Sequence, residues 1–282
     1  LFKKMGGCLV ELGVQSLDRD VLKRTKREMN FNTIKKAAGV IKKYKLDLGI
    51  QVMLGLPGDT LQKSINTAQK LLELKPKTAR IYPAIVLKGT RLGDLFRKGK
   101  YKPLSMESAI EWSAKISYVF ESGGVKVIRI GLHPSQDLNS KGAILAGPYH
   151  ASFGEMARSR QMRNRVINIL GEKKIPNRKA IEIHAPKELF NLISGHRGEE
   201  KKYLENYYGA PIRLRESPEG DSRSRIKVKI IDLKKDIAII DPRMPLMAKK
   251  RLKQMYYYVI EAPLHPKLAG PIKGHPDMMI FS

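Results

Sequence analysis

The sequence predicts an α/β protein built on a parallel sheet, followed by a small α+β unit. Three observations carry that reading. First, an apolar strand ending in polar residues twice runs into a helix. Val10, Leu12 and Val14 alternate with Glu11, Gly13 and Gln15 before a helical run from Asp18. Ile50, Val52 and Leu54 repeat the pattern before Gly55-Leu56-Pro57-Gly58, with Asp59 or Thr60 as the cap of the next helix. Second, strands joined by helical crossovers pair in parallel, so 8–16, 48–54 and 79–87 should be adjacent parallel strands. Ligands on such sheets sit at the carboxyl ends of the strands, where Gln15 and the Gly-Leu-Pro-Gly turn fall. Third, a strand, a helix, a Gly-x-x-Gly turn, a helix and two strands follow one another over 179–230.

The remaining elements follow from spacing. Asn32 or Thr33 can cap a helix over 34–44, whose Ile34, Ala37, Ala38 and Ile41 mark one face. A helix over 60–74 carries Leu61, Ile65, Ala68, Leu71 and Leu72. Tyr82-Pro83 lies inside the third strand, and a proline there implies a strand end or a bulge facing a ligand. A short basic helix is expected over 91–100, and a longer one capped by Ser105 and broken at Gly123-Gly124. A fourth strand over 125–132 ends at His133-Pro134-Ser135. A helix over about 154–170 carries Arg158, Arg160, Arg163 and Arg165 on more than one face, either solvated or set to bind phosphate.

Lysine and arginine number 54 against 27 acids, a net charge of +27. That favours a polyanionic partner, although solubility alone produces the same excess. Cys8 is the single cysteine, so no disulfide and no multi-cysteine metal site can form within the chain. This fits a reducing cytoplasm, with Cys8 read as a small buried apolar side chain at a strand start. No apolar run reaches membrane-span length. His133 and His150 follow apolar segments and are either acid–base groups or structural; neither has a second ligand at metal spacing, so no metal site is expected.

An ordered set of motifs then carries a family resemblance over about residues 8–165. They are Glu-Leu-Gly-Val-Gln-Ser at 11–16, Val-Leu-Lys-Arg-Thr-Lys-Arg at 21–27, Gly-Leu-Pro-Gly-Asp-Thr at 55–60 and Ile81-Tyr82-Pro83. Lys-Gly-Thr-Arg-Leu at 88–92, Gly-Lys-Tyr-Lys-Pro-Leu-Ser at 99–105 and Ala-Gly-Pro-Tyr-His at 146–150 complete the set. The stretch resembles the second half of a radical S-adenosylmethionine (SAM) (β/α) barrel, in the branch of the elongator catalytic subunit and the oxygen-independent coproporphyrinogen oxidases. The resemblance implies SAM as cofactor and Glu11, Gln15, Arg27, Gln51 and Tyr82 as residues of its pocket. Glu11 is alternatively a structural hydrogen-bonding acid, and Arg27 a solvated helix residue. Gln51 stands where the coproporphyrinogen oxidases carry an aspartate, which argues against their substrate. The family's [4Fe–4S] cluster is held by a CxxxCxxC loop absent from these residues. The chain is thus expected to be a C-terminal fragment or to have lost the chemistry, and to hold no cluster as it stands. No catalytic residue is assigned.

The second unit resembles a KH domain, with Gly195-His196-Arg197-Gly198 as the loop that would clamp a nucleic-acid backbone. Its alternative reading is a tight helix–helix turn. Glu199 and Glu200 beside it count against phosphate binding. The polar stretch 217–225 is read as a loop. The tail, with a strand over 237–241, a basic helix over 245–255, a strand over 257–261 and Gly274-His275-Pro276-Asp277, faintly resembles the opening of a guanidino-group-modifying fold. Three domains are expected: 1–165, the partial barrel; 166–232, the KH-like module; and 233–282, a β-α-β segment. The function expected is that of a cytoplasmic radical SAM enzyme acting on RNA, single-stranded or tRNA. The alternatives are a non-catalytic RNA-binding protein and a haem-pathway enzyme. No membrane association is expected.

Overall fold

Strands β1 (Leu9–Gln15), β2 (Asp47–Leu54), β3 (Thr78–Pro83) and β5 (Lys126–Ile130) pair in parallel in the order β1-β2-β3-β5. This is seen in a computed structural model that describes residues 2–27, 29–133, 142–172, 174–176, 179–217, 226–232, 258–262, 269–271 and 279–281. The chain folds as two compact units, Leu1–Ala157 and Arg158–Ser282.

In the first unit, each crossover carries a helix. Helices α1 (Arg19–Arg24) and α2 (Phe31–Lys43) follow β1, α3 (Leu61–Leu72) follows β2, and α5 (Met106–Ser122) precedes β5. Sequential strand order with crossovers of one hand puts these helices on one face of the sheet. That face is the apolar row read from the sequence: Val14, Leu48, Ile50, Val52, Leu54, Ala79, Ile81 and Val127 are buried against Ile34, Ala38, Ile41, Ala68, Leu71 and Phe120. At roughly 1.5–3 kcal/mol for each large apolar side chain buried, this core dominates the unit's stability.

Several boundaries differ from expectation for local reasons. Helix α2 starts two to three residues early because Asn30, not Asn32 or Thr33, caps it by accepting from Thr33 N. Thr60 is the cap of α3, whereas Asp59 turns inward. The third strand stops at Pro83 rather than at 87. Pro83 is the last residue in register with Leu54, whose carbonyl accepts from Ala84 N at 2.8 Å. The short β4 (Val86–Leu87) instead pairs antiparallel with β6 (Ile144–Ala146). Helix α4 (Arg91–Arg97) is shorter than expected. Cys8 is exposed, not buried: it stands before the strand and contributes only its carbonyl, which accepts from Asp47 N.

The second unit has a mixed sheet in the order β10-β9-β7-β8. β7 (Lys179–Ala185) is parallel to β8 (Ile212–Glu216) and antiparallel to β9 (Ile226–Asp232), and β10 (Tyr258–Ala262) pairs with β9. Between β7 and β8 run α7 (Phe190–Ser194), preceded by a 3₁₀ turn at Lys187–Leu189, and α8 (Glu199–Tyr208). Ile181, Ile183, Ile212, Ile226 and Val228 pack with Ile193, Leu204 and Tyr208. They also pack with Met162, Val166, Ile167 and Leu170 of α6 (Phe153–Leu170). An antiparallel pair of short strands, β11 (Ala269–Pro271) and β12 (Met279–Phe281), completes the described strands. Pro134 and Ser135, the loop at 218–225, the strand expected at 237–241, the helix at 245–255 and Gly274 to Asp277 lie outside the described residues. No helix among the described residues is long and apolar enough to cross a membrane.

Candidate functional site

The second face of the parallel sheet is polar. Strand registry puts Gly13 beside Gln51 and Gln51 beside Arg80, with Glu11 beside Gly49 and Met53 beside Tyr82. Because side chains alternate, Glu11, Gln51, Arg80 and Tyr82 share this face. Glu11 Oε2 lies 2.8 Å from Arg80 Nε, and Arg80 Nη1 donates to the Tyr82 hydroxyl at 3.4 Å. Arg129 on β5 is the registry partner of Arg80. Glu11, Gln51 and Tyr82 are thus brought to one face, and Arg80, which sequence reasoning passed over, links two of them. The signal was available: Arg80 precedes Tyr82 by one strand period inside an apolar run.

Gln15 and Arg27 meet at the carboxyl end of β1. The strand's registry breaks between Gly13 and Gln15, and Gln15 takes φ +66°. The left-handed conformation costs a non-glycine residue roughly 1–2 kcal/mol. Such strain persists only where the surroundings fix it. Arg27 helps to fix it: its Nη2 donates to Gly13 O at 2.9 Å. Arg27 lies beyond α1, which ends at Arg24, so it is not the helix-face residue of the alternative reading. Two buried polar atoms at this bulge, Gln15 Oε1 and Arg27 Nε, have no hydrogen-bond partner. An unsatisfied acceptor and an unsatisfied donor at one strand end suit a ligand carrying both a donor and an acceptor.

The neighbouring turn is locked from two sides. Gly55 at φ +72° would drive a Cβ to 2.6 Å from Leu104, so only glycine fits there. Asp59 Oδ2 accepts from Gly55 N and Ser64 Oγ, each at 2.8 Å, and burial raises its pKa against those hydrogen bonds. Tyr101 donates to Gly55 O at 2.7 Å; burial, with the Asp59 charge adding to it, pushes its hydroxyl up to about 12. Lys63 ties this turn to the loop after β1. Its Nζ donates to Gly58 O at 2.7 Å and lies 3.2 Å from both Asp18 Oδ1 and Asp20 Oδ2. Such partly exposed pairs are worth only about 0–1 kcal/mol each, so the link matters for geometry rather than for stability.

His150 Nδ1 accepts from Ser152 N at 3.0 Å, at the start of α6. Among the described residues no group of three or more His, Cys, Asp or Glu could hold a metal ion.

In the second unit, Gly195 (φ +77°), Arg197 (φ +53°) and Gly198 (φ +75°) turn the chain between α7 and α8. A Cβ on Gly195 would stand 2.6 Å from Glu200 Cγ. Glu200 is buried rather than exposed beside the loop: Arg160 Nε donates to its Oε1 at 2.9 Å and Arg163 Nη1 lies 3.0 Å from its Oε2. Two expectations are corrected here. Arg160 and Arg163 are neither solvated nor turned toward phosphate, because they neutralise a buried acid. Conversely, Glu200 presents no bare negative charge to the loop. Arg163 also stacks on Tyr203, its guanidinium carbon 3.9 Å from the ring centre.

A parallel half-sheet with its polar groups at the strands' carboxyl edge is the architecture of the C-terminal half of a radical SAM barrel, and residues 76–164 match the Radical_SAM C-terminal domain family. The tRNA uridine(34) acetyltransferase of Methanocaldococcus jannaschii is 33% identical over 111 residues, 38% of this chain and 20% of that protein. Elongator complex protein 3 of Homo sapiens is 29% identical over 114 residues, 39% and 21% respectively. The chain therefore matches about a fifth of the length of these curated relatives. The solved structure of the archaeal Methanocaldococcus infernus Elp3 with an N-terminal deletion superposes with a TM-score of 0.50 at 19% identity, covering 100% of this chain and 61% of that one. Over these stretches the chain is similar to the C-terminal part of elongator protein 3-like radical SAM proteins.

Proposed function

We propose that this chain supplies one wall of the SAM pocket in a radical SAM enzyme that modifies tRNA, and an RNA-gripping module beside it in sequence. The observation that carries the first part is the pair of unsatisfied buried atoms, Gln15 Oε1 and Arg27 Nε, at the strained end of β1. In this reading Arg27 faces the ligand's carboxylate and Gln15 its amino or hydroxyl donors, while Glu11, Gln51 and Tyr82 border the pocket along the polar sheet face. Burial excludes water from Tyr82 and strengthens every polar contact made there. The locked Gly55 turn holds the pocket's second edge. SAM held there by Gln15 and Arg27 would supply radical chemistry, and an iron–sulfur cluster to reduce it would need more thiolates than the single Cys8. The tRNA substrate is supported by the names of the relatives above and by the net charge of +27.

The RNA-gripping part is the KH-like module, residues 166–232 in the proposed division, with the partial barrel before it and 233–282 after it. What supports it is the loop Gly195-His196-Arg197-Gly198 between two helices: its glycines take left-handed φ, and its neighbouring acid is neutralised. A module of this kind would act without catalysis as well, which keeps an RNA-binding protein as the second reading.

Isothermal titration with SAM tests the pocket. Arg27→Ala should weaken binding by about 1.5–3 kcal/mol, the worth of a hydrogen bond to a charged group. Unchanged affinity with unchanged circular dichroism returns Arg27 to a purely structural brace of β1. His196→Asp with Arg197→Asp tests the loop: two carboxylates in the path of phosphates should abolish binding of a single-stranded oligoribonucleotide. A double variant that binds like the parent reduces the loop to a turn.

A further inference from the structure

Helix α8 leaves the Gly195–Gly198 loop with its buried row at Glu200, Leu204 and Tyr208. One position before each of the last two stands an exposed tyrosine. Tyr203 and Tyr207 are each 42% exposed, which is unusual for side chains this large on a helix whose other face is core. They are one helical turn apart and lie nearly parallel, with ring centres 6.1 Å apart and planes 14° from each other.

Both rings are braced from within. The Arg163 guanidinium packs 3.9 Å from the centre of Tyr203 and is itself held by Glu200. Tyr208 meets Tyr207 edge-on, with ring centres 4.9 Å apart, and Tyr208 is anchored by its hydroxyl to Gly171 O at 3.0 Å. Exposed aromatic rings that are already immobilised lose little conformational entropy when a flat partner lies on them. The charge around them selects that partner. Arg197, Lys201 and Lys202 lie on the loop and the first turn of α8, and the buried acid there, Glu200, is neutralised from within by Arg160 and Arg163.

We propose that Tyr203 and Tyr207 form a stacking ledge for the unpaired bases of a single-stranded RNA whose backbone is held at the Gly195–Gly198 loop. The inference rests on the RNA-binding reading of that loop and adds what it lacks, a contact to bases. Backbone contacts attract any polyanion, whereas stacking on aromatic rings requires bases freed from a duplex. The ledge therefore makes the module prefer unpaired RNA, without choosing strongly among bases, since each has a π-face.

The test uses the full chain and fluorescence anisotropy with three labelled probes: single-stranded oligouridine, the same length of abasic strand, and an RNA duplex. Tyr203→Ala with Tyr207→Ala should weaken oligouridine binding by about tenfold or more, from the alanine-substitution cost of lost base stacking. It should leave abasic binding, and the slope of affinity against salt, at parental values, because no phosphate contact is removed. Phenylalanine at both positions should restore binding. Leucine at both positions controls for packing and should remain weak. Parental affinity of the alanine variant for oligouridine overturns the ledge. So does an equal loss on the abasic strand, which would mean that the tyrosines act through the fold. Loop variants that lose the salt slope while the ledge variants lose only oligouridine affinity separate the two contacts. A parent chain that binds none of the probes at low salt sinks the RNA reading itself, and the ledge with it.

Discussion

Truncating Glu200 to alanine should cost the second unit about 3–5 kcal/mol. Its side chain is 10% exposed, and those of Arg160 and Arg163 are 7% and 9% exposed, so all three charges sit largely out of water. Removing the carboxylate deletes one charged hydrogen bond at 2.9 Å and one charge contact at 3.0 Å. The hydrogen bond alone is worth about 1.5–3 kcal/mol. It also takes from two buried guanidinium groups the carboxylate they share, and breaking a buried pair by removing one partner costs about 3–5 kcal/mol. Glu200→Gln keeps an acceptor for Arg160 and the packing beneath Gly195, so it should cost roughly half as much. Urea unfolding reads the effect cleanly, because Trp112, the chain's single tryptophan, lies on α5 in the first unit. Its fluorescence should keep the parental midpoint while the amide circular dichroism loses second-unit signal at lower urea. A shift below about 1 kcal/mol would refute the reasoning, since that is what an exposed pair is worth.

Two further outcomes follow from the locked turn. Gly55→Ala must place a Cβ 2.6 Å from Leu104 at φ +72°, so strain and overpacking together should cost about 2–4 kcal/mol, visible in the Trp112 unfolding midpoint. Tyr101, pushed up to about 12 from an ordinary value of 10.0, contributes stability that is whole below pH 10 and is lost as pH rises through about 12. The unfolded chain gives up that proton first, so the alkaline loss should flatten in Tyr101→Phe, measured as the urea midpoint from pH 9 upward.

The parallel sheet was legible because its two faces differ so sharply. Val10, Leu12 and Val14 against Glu11, Gly13 and Gln15 set both the strand and the side on which the helices pack. Boundaries were less legible, because caps compete locally. Asn30 and Asn32 are chemically equal candidates for α2, and only the chain's path after Arg27 decides between them. The third strand's end was half visible: Pro83 announced an interruption, while the antiparallel pairing of Val86–Leu87 with Ile144–Ala146 depends on residues nearly sixty positions away. At the candidate site, Arg80 and Glu200 show what one-dimensional reading misses. A charge in a strand or at a helix start reads as solvated until a partner, on β1 for Arg80 and on α6 for Glu200, is brought to it.

The Tyr101 hydroxyl that closes on Gly55 comes from 46 positions further along the chain, as does the Leu104 side chain that packs over the same glycine from slightly further. On a ribosome the turn is made well before its clasp. At roughly 5–20 residues per second, the Gly-Leu-Pro-Gly segment waits about 2–9 s for Tyr101 to be added. During that interval β1, β2 and α3 can assemble from local contacts, but the rim beside Gln15 stays open. Nascent chains stalled before residue 101 should therefore be cut by protease at the turn, and those stalled well beyond residue 104 should resist. The order of synthesis thus sets the order in which this rim hardens.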